Sequence, residues 1–165
     1  MALPACHPDR GSENARNAYI KNHERAGHEA KFVRGGKLKE GSEMAESMML
    51  ERAKDFAVEI VNLCRGLQTE KREYVLTGQL MRCGTSIGAN IHESKYAQSP
   101  ADFISKMQIA LKECYETEYW LELLNRTALL PDKRYTSLRS ACGTLRRMLV
   151  SSVNTAKKRN SVLPS

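Results

Sequence analysis

The sequence predicts an all-α protein: an antiparallel up-down-up-down four-helix bundle with a disordered N-terminal tail. Three observations carry this. Apolar residues recur at spacings of three and four along four long segments. The connections between those segments are short and marked by turn residues, as between antiparallel neighbours. No strand alternation competes with the helical pattern, and no internal repeat is present. At 165 residues the chain is expected to hold one domain. The expected division is a tail over 1–44, a bundle over 45–158 and a C-terminal tail over 159–165.

Residues 1 to about 41 differ from the rest. They hold three of the four histidines, His7, His23 and His28, among scattered Arg, Lys, Asn and Gly. Leu3, Tyr19, Ile20, Phe32, Val33 and Leu38 are too sparse for a core, so the stretch reads as disordered. A nucleic-acid-binding arm is the functional alternative, although Asp9, Glu13, Glu24, Glu29 and Glu40 largely offset its bases. Upstream sequence read from an early start codon is a third, with Met44, Met48 and Met49 as later starts.

The first helix is expected over 45–67, with Ala53, Phe56, Ile60, Cys64 and Leu67 as one buried stripe. Gly66 and the run Gln68-Thr69-Glu70-Lys71 mark its turn. The second is expected from 72 or 73 to about 96, with Val75, Leu76, Leu80, Cys83, Ile87 and Ile91 on its apolar face. Its middle is unusual. Gly84 and Gly88 lie four apart on one face, with Thr85, Ser86 and Ala89 around them. Each glycine costs a helix interior up to about 1 kcal/mol against alanine. Two together predict a tight helix–helix contact, with Ser86 and Asn90 buried and bonded to a neighbouring helix.

The third helix is expected over 100–126. Ser99 reads as its N-cap, Pro100 as its first residue and Asp102 as the acid of its first turn. Phe103, Met107, Ala110, Cys114, Thr117, Leu121 and Leu124 form a heptad-like seam. Ile104, Leu111, Tyr115, Trp120 and Leu123 widen it, which suggests a second apolar client such as another subunit. The fourth helix is expected over 132–157, on Tyr135, Leu138, Cys142, Leu145, Leu149 and Ser152. Arg134, Arg139, Arg146, Arg147, Lys157, Lys158 and Arg159 crowd its outer face and end.

Catalytic patterns fail on their residue types. A di-iron bundle needs a Glu from each of two helices and a Glu-x-x-His from each of the others. His92 is the lone bundle histidine, and Ala89 stands where the carboxylate would be. Gly84 and Gly88 are followed by no Lys-Ser/Thr pair, so no phosphate loop is present. Cys64, Cys83, Cys114 and Cys142 fall one to a helix at apolar positions, without a CxxC pair. They read as free buried thiols, with a four-helix zinc site as the alternative. Cys83 beside Arg82 is the best-placed nucleophile of a weak set. No catalytic residue, cofactor or metal is expected.

Binding fits better. The net charge is +7 and the pI about 9.3, which favours polyanionic partners. Arg139, Arg146, Arg147, Lys157, Lys158 and Arg159 are the candidates for phosphate contacts, against the plain alternative of a solvated helix face. Glu93 and Asn90, three apart, are expected to form a polar tie to Lys106 or Lys112 of the third helix, or else to line a channel. Tyr119 and Trp120 are adjacent and cannot share one core, so one is placed at a subunit interface.

Cys83 to Glu93, C-G-T-S-I-G-A-N-I-H-E, resembles the R-S-G-T-S-I-x-A-N-I-x-E signature of the four-helix-bundle proteins of 23S rRNA intervening sequences. Tyr96 to Lys106 is similar to that family's next helix start, and Ala110 to Leu121 to the middle of that helix. The likeness spans about Ser47 to Ala156; Cys83 departs from the family's usual serine. The resemblance implies a bacterial up-down bundle assembled as a homopentamer, with a basic surface and a narrow channel. The accessory variability proteins of diversity-generating retroelements look like the same ring, and engage a reverse transcriptase and nucleic acid. The expected function is therefore a cytoplasmic, non-enzymatic, oligomeric scaffold or accessory factor binding RNA or DNA. The alternative is a purely structural or protein-interaction module, separable by salt dependence.

Overall fold

The structure is a computed structural model that describes residues 40–161, with side chains from residue 43. Four helices follow one another: α1 (Glu40–Lys71), α2 (Val75–Ser94), α3 (Pro100–Arg126) and α4 (Asp132–Ser161). The readings placed on residues 1–39 lie outside the described residues.

Each helix buries one stripe. Ala53, Phe56, Ile60 and Cys64 of α1 meet Leu80, Cys83, Ile87 and Ile91 of α2. Met107, Ala110, Cys114, Leu121 and Leu124 of α3 and Leu138, Cys142, Leu145, Leu149 and Val153 of α4 complete the core. Full burial of each large aliphatic side chain contributes about 1.5–3 kcal/mol. Consecutive helices pack along most of their lengths, whereas α1 and α4 meet over few residues.

The helix ends show where local chemistry decides. Ser99 Oγ accepts from Asp102 N at 3.1 Å, and Asp102 Oδ2 accepts from Gln98 N at 3.0 Å. Ser99 is thus the N-cap its sequence predicts, and Asp102 also ties back to the residue before the cap. At the other end of α3, Ala128 takes φ 58°, and its N–H reaches Asn125 O while Leu129 N–H reaches Leu124 O, each at 3.0 Å. This is a Schellman stop with alanine where glycine is usual.

The α1 boundaries depart from expectation. The helix begins five residues earlier, with Met49 and Leu50 buried behind that start. It also runs through Gly66 to Lys71 and turns at Arg72, φ 54°. Burial of Leu67 and the Gln68 Nε2 bond to Thr77 Oγ1 on α2, 3.1 Å, outweigh one glycine's propensity cost. The fourth helix continues to Ser161, beyond the expected end.

The glycine stretch does form the close contact. A Cβ on Gly84 would lie 2.9 Å from Ile60 Cγ2 and 3.1 Å from its Cγ1, and one on Gly88 would lie 3.6 Å from Ala53 Cβ. The polar residues beside the glycines behave differently from expectation. Asn90 and Ser86 are half-buried, and Asn90 Nδ2 donates to Ser86 O at 2.9 Å within α2. A short amide one turn from a carbonyl satisfies itself locally. The glycines occupy the face that α1 covers.

Candidate nucleic-acid interface

The charge of the bundle is concentrated in α4. Over Asp132–Ser161 the sequence carries eight Lys or Arg and a single acid, Asp132. The core face of α4 is fixed by Leu138, Cys142, Leu145, Leu149 and Val153, so its cations are forced outward onto two flanks.

On one flank, Arg139, Arg146 and Lys157 recur at spacings of seven and eleven, which return to the same face. Arg146 is committed to the bundle. Its Nε donates to Glu118 Oε1 at 3.1 Å, and its guanidinium lies 5.5 Å from the Tyr115 ring. Donation to Glu118 and the charge of that carboxylate hold Arg146 above the usual guanidinium range. Arg139 lies 5.9 Å from the Tyr135 ring. Arg134, nearer the start of the helix, pairs with Glu59 of α1 at 3.4 Å.

The other flank is a stripe that sequence reading for core positions passes over. Lys133, Ser137, Ser140, Thr144, Arg147, Ser151, Thr155 and Lys158 follow one another at spacings of three and four. All are exposed except the half-buried Thr144. Arg147 Nη2 donates to Thr144 Oγ1 at 3.0 Å, and Thr144 and Thr155 each bond a carbonyl one turn back. A solvated helix face ordinarily alternates acids with bases. This one presents only cations and hydroxyls, the side chains that contact phosphate. The six sequence candidates therefore do not form one surface: Arg147 and Lys158 lie on this stripe, and Arg139, Arg146 and Lys157 on the opposite flank. Arg159 sits at the groove between α1 and α4. Among the described residues no ion pair engages Lys133, Arg147, Lys157, Lys158 or Arg159.

The remaining candidates are placed as follows. Glu93 Oε2 accepts from Lys106 Nζ at 2.6 Å, the tie between α2 and α3 that the sequence suggests. Glu93 is 54% exposed rather than buried, so solvent screens the pair and it holds the two helices only weakly. Lys112 is exposed and has no such partner among the described residues. Tyr119 is 60% exposed; Trp120 is half-buried and donates from Nε1 to Glu116 Oε1 at 3.3 Å. Arg82 bridges to the same Glu116 and stands 3.8 Å from Glu113. Glu113 Oε2 is buried without a hydrogen-bond partner. Burial first, and then Glu116, push its carboxyl above the usual range against the pull of Arg82.

The four bundle thiols are free and buried. Burial pushes Cys64 up to about 12 and Cys83 up to about 11. Hydrogen bonding to the Cys114 thiol and burial raise Cys142 further, and its Sγ donates to Cys114 O at 3.5 Å. Among the described residues no three His, Cys, Asp or Glu side chains converge as metal ligands. No described helix is long and apolar enough to cross a membrane.

Fold and surface together define an up-down four-helix bundle with one strongly cationic helix. The model of the 23S rRNA-intervening sequence protein family matches residues 45–151, and the chain belongs to that family. It is also similar to a crystal structure of a protein of unknown function from the S23 ribosomal protein family of Bacteroides thetaiotaomicron. Identity there is 45% and the TM-score 0.66, over 67% of this chain and 98% of that one. No curated protein matches the sequence.

Proposed function

We propose that this protein is a non-enzymatic, cytoplasmic scaffold or accessory factor that binds RNA or DNA through the outward face of α4. The observation that carries the reading is the Lys133–Lys158 stripe, eight positions without a carboxylate on an otherwise mixed-charge bundle. Phosphate contacts of this kind supply affinity without reading sequence. Burial raises the Cys64 and Cys83 thiols and makes them poor nucleophiles, which favours binding over catalysis.

The acting species in this proposal is a homo-oligomer, a pentamer in keeping with the family resemblance. Tyr115 and Tyr119, four apart and 51% and 60% exposed on α3, support an interface there. The salt dependence of binding to a mixed-sequence RNA tests the reading, followed by fluorescence anisotropy of the full chain. Affinity is expected to fall steeply from low to moderate salt. Binding that ignores salt, or none at low salt, assigns the protein instead to protein interaction alone. Sedimentation supplies the mass, which Tyr119→Glu is expected to lower.

A further inference from the structure

Three of the four neighbouring helix pairs close along their lengths, and the α1–α4 pair does not. A groove of about 440 Å³ lies in that opening, where α1 begins and α4 ends, reached also by the first turn of α3. Its apolar lining is Ala45, Met49, Phe103, Met148 and Ala156, beside the hydroxyls of Ser151, Ser152 and Thr155. Of these, Met49 is buried and Phe103 and Met148 are half-buried. Methionines are flexible and polarizable, and surfaces rich in them accept varied apolar partners. Arg147 and Arg159 both line the groove; twelve residues apart on α4, they are separated by about 18 Å of helix. Among the described residues Glu46 of α1 is the one acid in the lining.

The walls narrow the class of occupant. They are helix side chains, whose backbone groups are already bonded within the helices. A peptide lying here finds no ladder for its own amides, so it must satisfy them internally, as a helix does. An opening between two diverging helices also takes a third helix by ordinary ridge-and-groove packing. The cations call for carboxylates about three turns apart, and Glu46, which feels the charge of Arg159, calls for one donor near that end. A nucleic-acid strand fits less well, because the apolar lining and Glu46 both oppose a polyanion.

We propose that the α1–α4 groove docks an acidic amphipathic helix of a partner protein, its apolar stripe on the methionines and Phe103, its terminal carboxylates on Arg147 and Arg159. The inference does not rest on nucleic-acid binding. Because Arg147, Ser151 and Thr155 of the cationic stripe also line the groove, a docked helix competes with a polyanion for them.

The test uses the full chain carrying ¹³C-methyl methionine, and a panel of synthetic amphipathic peptides of about three to four turns. The peptides carry Leu, Met or Phe stripes and Glu at both ends; matched controls carry Lys instead. The Glu peptides are expected to shift the Met49 and Met148 methyl signals and to bind at least tenfold tighter than the Lys peptides. The double variant Arg147→Glu/Arg159→Glu, both exposed and so compatible with the fold, is expected to reverse that preference. Unmoved methyl signals, equal binding of both peptide sets, or a preference unchanged in the variant would each overturn the proposal. So would a single-stranded RNA that shifts these methyls when the peptides do not, or shifts that follow protein concentration alone, which point to a second copy. Peptide binding in a protein that binds no RNA leaves this inference standing while the cationic-face reading falls.

Discussion

Helix α1 has two neighbours and treats them in opposite ways. Against α2 it is so close that the partner helix gives up side chains: Gly84 meets Ile60 and Gly88 meets Ala53. Against α4 it leaves an opening lined by Met49, Met148 and two arginines. The first contact is a matter of packing, and its energetics are set by ångström-scale fit. The second is a surface, set by charge and exposure. The difference separates what builds this bundle from what the bundle offers to partners.

The tight side breaks most easily. Gly84→Ala is expected to cost about 1–2 kcal/mol in urea unfolding, because Ile60 is fully buried, stiff at its branched Cβ, and cannot yield. The helix-propensity gain of alanine is smaller than that overpacking. Gly88→Ala sharpens the point four residues away. Its Cβ would meet Ala53 at ordinary contact distance, so the propensity gain of up to about 1 kcal/mol survives and the variant unfolds at equal or higher urea. Equal effects at both positions would mean that the glycines do not set the spacing of α1 and α2.

Glu113 gives the packed side a pH dependence. Its folded pKa lies above the unfolded value, so the folded state holds the proton more tightly, and stability falls as pH rises through that raised value. Glu113→Gln removes the titration and lets the buried position donate toward Glu116. It is expected to raise stability by about 1 kcal/mol at pH 7, with the gain fading toward the acidic end of a thermal-unfolding series. A constant gain across pH would place the effect elsewhere. The smallest change is at the α3 stop. Ala128→Gly relieves a left-handed alanine at some entropic cost, for a net gain of a few tenths to about 1 kcal/mol in melting experiments.

Legibility in the sequence followed the same division. The α3 start was readable to the residue because Ser99, Pro100 and Asp102 act within one turn. The glycine contact was readable because two helix-weakening residues four apart need a packing reason. The pairing of Glu93 with Lys106 was readable, but its depth was not, because exposure depends on how the helices rotate against one another. For the same reason the sequence suggests a cross-helix bond for Asn90, whereas the side chain closes onto Ser86 O. The α4 stripe was present as spacing, yet a search for apolar recurrence reads past Ser137, Ser140, Thr144 and Ser151. The groove was invisible, since Met49 and Met148 meet only through the long-range crossing of the first and last helices.

The cationic face of α4 carries the functional account, and one comparison tests it directly. The full chain and the triple variant Lys133→Glu/Arg147→Glu/Lys158→Glu are titrated with the same mixed-sequence RNA across a salt series, with helicity checked by circular dichroism. All three positions are exposed, so the variant keeps its fold. The account predicts that the variant loses at least tenfold in affinity at low salt and that the slope of log K against log salt shrinks by about one unit per cation removed. An unchanged affinity and slope in a folded variant would contradict it.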